Sequence, residues 1–433
     1  MRVFLICVLA IAALLVAPLS GASAQADEQP AAPASVLEQS AADIAAVMRG
    51  EKAAEEVFAP GFLAAVPAAQ FNQVVTQMTT QFGPFVGVEK VVADHDYAGT
   101  IFLRFEKAIG SGALVVEPQS PHRVAGLLLQ TFEPIGDSAE KIAADLAALP
   151  GTVSVLFAPL DGASAPGLAR AEDAQLAIGS AFKLYVLATL ALEIEGGKRR
   201  WDDVVRLDTR SFPSGMMQQW PQGTPVTLQT LASMMISISD NTATDQLIRL
   251  LGRKAIERTI IASGHAAPER MQPLLTTLDL FKLKGDLAIG DAWLAQDPAG
   301  RRARLAAFER EHRWQSDNVT PPTFTAPTAI DTLEWFASAR DLKGVLAMLA
   351  AMEDDTARKI LAINPSLPAG LQQNWSYAGY KGGSEPGVLN LSWLLRDRGG
   401  GWHVLVMTWN HPQAAVQTAT LELLAQRVLA LGN

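Results

Sequence analysis

Cysteine is all but missing from this sequence of 433 residues. The one thiol, Cys7, lies inside the first apolar run. A mature chain starting after that run has no disulfide framework, no thiolate metal site and no cysteine nucleophile. Basic clusters are also scarce: 35 Lys+Arg face 44 Asp+Glu, a formal charge of −9. An acidic chain without a basic stripe makes a poor nucleic-acid binder. The tandem Lys198-Arg199-Arg200 comes after two glycines and reads as a solvated turn. Aromatic residues are few at 7%, yet 49% of the chain is hydrophobic. With no internal repeat and no long low-complexity tract, that is the composition of a globular protein. At roughly 100–200 residues per domain, two or three domains are expected.

The one long apolar run stands at the start. Met1-Arg2 is followed by apolar residues from Val3 to Ala17, then by Pro18, Ser20 and Gly21. Ala22-Ser23-Ala24 and Ala24-Gln25-Ala26 both fit a small-residue cleavage site. The pattern predicts a signal peptide over residues 1–26, cut near Ala24 or Ala26, and a periplasmic or secreted protein. The run is shorter than the roughly 20 residues of a spanning helix, and no later stretch reaches that length, so stable membrane insertion is not expected after cleavage. Residues 27–35, rich in Pro, Ala and Gln, read as a tether.

Beyond the tether the chain reads as two bodies. Residues 36–133 begin with helical spacing over Val36 to Met48 and Pro67 to Phe82, then change period. Phe85 to Val92, Thr100 to Glu106, Gly112 to Glu117 and Arg123 to Phe132 are β-branched and aromatic, punctuated by Gly and Pro. A small α+β domain is expected, with Glu133 to Gly136 too short a linker to let it stand far from the second body. In residues 137–433, Asp137 with Glu140 makes a capping-box pattern for a helix to Leu149. Val153 to Ala158 reads as a strand. Helices are expected over Ser180 to Glu195, from Thr227 to before Ser239, over Thr242 to Leu251 and over Ala414 to Leu431. Gly379 to Lys381, Val388 to Leu395 and Trp402 to Trp409 read as strands. Strands at both ends with helices between predict one antiparallel sheet flanked by helices, an α/β (α+β) fold.

Three short motifs occur in order: Ser180-Ala181-Phe182-Lys183, Ser239-Asp240-Asn241 and Lys381-Gly382-Gly383. Ser180 opens a helix, where backbone N–H groups point outward. Lys183, three residues on, shares its face. A serine hydroxyl needs an adjacent base to become a nucleophile. A lysine serves only when uncharged, and burial with a second cation nearby, Lys381, favours that form. Ser239 can relay a proton to a leaving group, and Asn241 can hold Lys183 and a substrate amide. An oxyanion needs two backbone donors, expected from Ser180 and Ser384, with Gly383 beside them. No metal or cofactor enters this scheme.

The trio resembles that of class A β-lactamases and penicillin-binding proteins. MMISISDNTATDQLIRLLG (234–252) is similar to their second-motif region, and GSAFKLYVL (179–187) to their nucleophile helix. The resemblance covers about 137–433. It implies an all-helical half and a sheet half with the site between them, Ser180 as the acylated residue, and a small-molecule substrate that is a β-lactam, an ester or a peptidoglycan-like amide. Two departures stand out. The family has a hydroxyl residue after the third-motif lysine, where this chain has Gly382; Ser384 is the nearest replacement. The family's deacylating Glu lies in E-x-x-L-N, a string absent between Asn241 and Lys381. A longer insertion, Thr276 to Pro327, stands there, with TTLDLFKLKG and an expected exposed helix over Arg301 to Arg313 that includes Glu309 and Glu311.

The whole layout also resembles a small set of fused proteins, one from clavulanic acid biosynthesis. They join such a domain to an N-terminal module similar to steroid isomerases and cystatin-like folds. That resemblance implies esterase activity. Three functions therefore stand: β-lactam hydrolysis, ester or amide hydrolysis, and a binding protein acylated without turnover. Other features read as structural. Asp94-His95-Asp96 is expected in a turn, His122, His265, His312, His403 and His411 share no ligand spacing, and Trp375, Trp393, Trp402 and Trp409 are expected in the final sheet. Tyr380, just before Lys381, is the candidate for lining the cleft, with packing as the simpler account.

Overall fold

The computed structural model describes residues 35–162, 164–308, 310 and 324–431. The expected leader, the tether up to residue 34, Glu309, Glu311 and His312 lie outside them. The chain divides into two compact units, Met1–Asp137 and Ser138–Asn433.

In the first unit α1 (Val36–Met48) opens on a reciprocal cap: Ser35 Oγ accepts from Glu38 N–H, and the Glu38 carboxylate accepts from Ser35 N–H. Its buried positions Leu37, Ala41, Ile44 and Ala45 fall on one helical face. Two short helices come next, α2 (Ala54–Val57) and α3 (Pro60–Ala65), then α4 (Ala68–Phe82). Gly83, at φ +80°, ends α4. An antiparallel meander β1 (Phe85–His95), β2 (Ala98–Phe105), β3 (Ala108–Val116) and β4 (Val124–Pro134) completes the unit. Along β2, Ile101, Leu103 and Phe105 alternate inward. The meander strands each run past one of their expected limits, while β2, β3 and β4 stop a residue short of the other. In β3 the glycines that read as punctuation sit inside the strand: a Cβ on Gly112 would lie 1.8 Å from the Leu128 carbonyl oxygen of β4. Asp94-His95-Asp96 occupies the β1–β2 hairpin end.

The second unit begins with α5 (Ala139–Ala148). Its cap is Ser138, whose hydroxyl accepts from Lys141 N–H, rather than Asp137. Ser138 has the extended backbone a cap requires. Next come β5 (Thr152–Pro159), β6 (Leu168–Arg170), β7 (Leu176–Ala177), α6 (Lys183–Glu195), β8 (Val204–Arg206) and β9 (Pro225–Thr227). The helical layer continues with α7 (Leu228–Ser237), α8 (Asn241–Leu251) and α9 (Arg253–Ala262). The insertion holds α10 (Thr277–Gly285), α11 (Leu287–Leu294) and α12 (Pro298–Phe308). After β10 (Phe336–Ala337) come α13 (Ala339–Ala351), α14 (Thr356–Leu361) and α15 (Ala369–Gln372). The chain closes with β11 (Tyr377–Glu385), β12 (Val388–Arg396), β13 (Trp402–Asn410) and α16 (Thr418–Leu431).

The main sheet runs β11-β12-β13-β5-β6, antiparallel throughout and built from both ends of the unit. One face packs on α5 and α16 through Ile142, Leu146, Trp393, Met407, Leu421 and Leu424. The other faces the helical layer, where Lys183 to Ala191 of α6 are all buried. Covered on both sides, β12 is buried from Val388 through Leu395. Trp375, Trp393 and Trp409 are core residues, and Trp402 is partly buried. The stretch from Arg301 is not a wholly exposed helix: in α12, Leu305 and Phe308 are buried and Arg302 forks onto Glu257 at 2.8 and 2.7 Å. Among the described residues no helix is long and apolar enough to cross a membrane.

Candidate active site

Ser180 is not in the first turn of an α-helix. Gly179–Phe182 forms one 3₁₀ turn and α6 begins at Lys183, a common way to start a helix. The turn is pinned from three sides. Ile178 N–H donates to the Trp335 carbonyl (3.0 Å), and the Phe182 ring stacks on Trp335 at 3.8 Å. Ala177 exchanges both backbone hydrogen bonds with the Asn410 side chain (2.8 and 3.0 Å), which ties it to the end of β13. Strand β11 rides directly over the turn. A Cβ on Gly383 would lie 2.1 Å from the Ile178 carbonyl oxygen and 2.5 Å from Ser180 N, so only glycine fits. Gly179, at φ +48°, would bring a Cβ 3.2 Å from Ser384 N. The Ser180 and Ser384 amides thus belong to one narrow junction.

The second motif joins α7 to α8. Ser239 has φ +56°, a left-handed conformation that costs a non-glycine residue free energy. Buried Asp240 holds it there. Its carboxylate caps α8 through Ala243 N–H (2.9 Å) and accepts from Met216 and Met217 N–H at 2.7 and 2.8 Å. Ser239 therefore projects from a braced corner, and its hydroxyl meets two amine-bearing side chains. Lys183 Nζ lies 3.0 Å and Lys381 Nζ 3.1 Å from Ser239 Oγ. Lys183 Nζ also reaches the Ser239 carbonyl and Asn241 Oδ1, each at 2.8 Å. Asn241 directs one amide hydrogen to the Phe212 carbonyl (3.2 Å). Four predicted residues, Lys183, Ser239, Asn241 and Lys381, form one hydrogen-bonded group beside the turn carrying half-buried Ser180.

Both lysines sit low on the pH scale. Burial takes Lys183 well below its ordinary value, and the Lys381 ammonium lowers it further; Asp245 and Asp240 oppose this. Burial brings Lys381 to about 7. An uncharged Lys183 has a lone pair and two N–H donors in place of three. It can accept a proton from a neighbouring hydroxyl, and the Ser239 hydroxyl can pass one between the two amines.

The third motif lies mid-strand, since β11 runs on to Glu385. Side chains alternate along it, so Lys381 faces the helical layer and Tyr380 does not. Tyr380 is turned from the cleft and packs against Trp393 (centroids 4.8 Å) on the α5–α16 face. Burial, with Glu422 of α16 nearby, pushes its phenol up. Its hydroxyl also explains Gly382, because a Cβ there would lie 2.1 Å from Tyr380 Oη. Ser384 is exposed, on the strand face it shares with Gly382. Trp335, Asn410 and the Tyr380–Gly382 contact carry no local sequence signal. Among the described residues no group of three His, Cys, Asp or Glu side chains could hold a metal ion.

Residues 137–430 match the Beta-lactamase enzyme family, and the chain belongs to that family. Its second unit is a β-lactamase-like hydrolase, with mixed α/β architecture and antiparallel sheet flanked by helices. Similar solved structures include a β-lactamase from Sphaerobacter thermophilus, with 21% identity over 68% of this chain and 95% of that one (TM-score 0.46). A β-lactamase from Chitinophaga pinensis has 16% identity over 68% and 97% (TM-score 0.46). PBP-A has 16% identity over 68% and 94% (TM-score 0.45). No curated protein matches the sequence.

Proposed function

We propose that the protein is a serine hydrolase working through an acyl-Ser180 intermediate. The observation that carries this is the buried Lys183, held on Ser239 and Asn241 one turn from Ser180 and kept from charging by burial and Lys381. In this reading neutral Lys183 takes the Ser180 hydroxyl proton as Oγ bonds to the substrate carbonyl carbon. The Ser180 and Ser384 amides stabilise the oxyanion. The carbon–nitrogen or carbon–oxygen bond then breaks, and the leaving group takes a proton from Ser239, which Lys183 replenishes. Water finally cleaves the acyl ester.

A β-lactam is the family's default substrate. Gly382 favours an ester as the second reading, because the hydroxyl that grips a lactam's carboxylate is missing and the Tyr380 phenol blocks its return. An alkoxide also leaves readily and asks less of the site when no E-x-x-L-N glutamate is present. A run of helices followed by an antiparallel meander in the first unit suits a steroid-isomerase-like, cystatin-like module. The apolar run at 3–17 supports export to the periplasm or beyond.

Intact mass after exposure to nitrocefin or a p-nitrophenyl ester tests the reading. Wild type gains one acyl group; Ser180→Ala gains none and loses about 10⁴-fold or more in rate. An adduct on both variants removes Ser180 from the mechanism. A burst of one equivalent without further turnover makes the protein a β-lactam-acylated binder rather than an enzyme.

A further inference from the structure

A second ionic group lies at the far end of β11. Lys284 of α10 is fully buried and contacts two carboxyls, Glu334 at 2.6 Å and Glu385. The side chains of Lys284 and Glu334 are 0% exposed and that of Glu385 is 12% exposed. The two carboxyls adjoin the Ser180 junction, and Lys284 ties them to the helical layer. Glu334 immediately precedes Trp335, takes that residue's N–H at 3.1 Å, and so abuts the ring and carbonyl that pin the 3₁₀ turn. Glu385 comes directly after Ser384 and shares a strand face with Lys381 and Gly383. Lys284 arrives on α10, whose first turn is bound by Asp245 of α8 through Thr277 N–H (2.7 Å) and Thr277 Oγ (2.8 Å). The helix that begins at Asn241 is thereby linked through α10 to the end of β11.

We propose that the Glu334–Glu385 carboxyl pair, clamped on Lys284, positions the Ser384 amide over Ser180 and makes the acylation rate depend on the pair holding one shared proton. The inference deepens the function proposed above and rests on it. Two carboxyls and one ammonium balance only if one proton stays between the carboxyls. The charged groups facing Glu385 are Glu334 and Lys284. Burial and Glu334 push Glu385 up to about 9, against the pull of Lys284. Below that pH the triad is neutral and the two carboxyls share a hydrogen bond. Above it, two buried carboxylates repel with one cation between them, and the strand end bearing Ser384 loses its anchor. Glu385 touches no reacting atom in this scheme; it is a positioning residue.

The test tracks the acylation rate of the full chain from about pH 7 to pH 10, using whichever of nitrocefin or p-nitrophenyl acetate labels Ser180. In single-turnover measurements wild type loses saturating acylation rate above about pH 9, with the half-saturating substrate concentration steady. Glu385→Ala lowers the saturating acylation rate about tenfold or more at neutral pH, the scale expected for a misplaced oxyanion donor, with the half-saturating concentration within about twofold. Glu385→Gln keeps the shape of the protonated acid and cannot ionise. It recovers most of that rate and stays flat to pH 10. Should the Glu385 variants fail to fold by circular dichroism, Glu334→Gln removes the repelling partner, and the alkaline loss moves away from pH 9. A wild-type rate flat to pH 10, or an alkaline loss unchanged in Glu385→Gln or Glu334→Gln, overturns the triad's role while leaving Ser180 labelling intact. Wild type that takes no label on Ser180 overturns the functional reading and this inference together.

Discussion

Lys183 at the start of α6 and Lys284 near the end of α10 are both shut off from water, and they respond in opposite directions. Lys183 is driven well below the ordinary lysine range, and Lys284 is raised above it. Burial opposes charge in both, so the partners decide. Lys183 has a hydroxyl, two amide-type oxygens and a neighbouring cation; Lys284 has two carboxyls in direct contact. The same residue type is pushed toward the uncharged form in one place and toward the charged form in the other. Burial alone is therefore a weak sign of catalytic lysine, and burial without a carboxylate contact is a much stronger one.

The sharpest way to break this comparison is to strip each charge. Lys183→Met lowers the acylation rate about 10²–10⁴-fold, the usual share of a positioned base, while unfolding free energy falls by only about 1–3 kcal/mol for the Ser239 carbonyl and Asn241 Oδ1 it leaves without a donor. A loss as large as that of Lys284→Met would mean Lys183 is charged and paired. Lys284→Met does the reverse, leaving buried carboxyls unpaired and lowering unfolding free energy by about 3–5 kcal/mol. An unchanged urea midpoint would dissolve the clamp.

Stability against pH separates the two groups further. Lys381 is held at about 7 in the folded chain but returns to 10.5 on unfolding. Between those values the unfolded state binds more protons, so the Lys381 contribution to stability rises with pH by up to about 1.4 kcal/mol per unit. Lys284 has the opposite sign: its folded-state value is raised, so its contribution is present below 10.5 and is lost as pH climbs through the folded value. Unfolding free energies of wild type minus Lys381→Met therefore increase from pH 7 to 10. A flat difference would mean Lys381 is charged at neutral pH. The smallest expected effect is steric. Gly382→Ser costs about 1–3 kcal/mol by overpacking on Tyr380, and Tyr380→Phe in the same chain returns part of it. A Gly382→Ser protein as stable as wild type would show that the phenol does not hold that space.

Periodicity and caps are legible in the sequence because they report on neighbours within a turn. The α1 limits Val36–Met48 and the strand runs of the terminal sheet come from apolar spacing alone. At Asp137-Ser138 two adjacent cap formers compete, and only backbone geometry chooses Ser138. Of the two readings of Tyr380, adjacency to Lys381 suggests the cleft, but alternation along β11 sends the two side chains to opposite faces and leaves Tyr380 packed on Trp393.

What the sequence by itself determined is the reactive inventory: a serine and a lysine three residues apart, a Ser-Asp-Asn corner, a Lys-Gly-Gly strand, and no thiol beyond residue 7. Tertiary structure alone decided which lysine is pushed down the pH scale and which is pushed up. Ser239 lies 56 residues from Lys183 and 142 from Lys381, and Glu385 lies 101 from Lys284. A side chain's charge is set by what folding brings within hydrogen-bond reach in a place without water, and no local pattern records that.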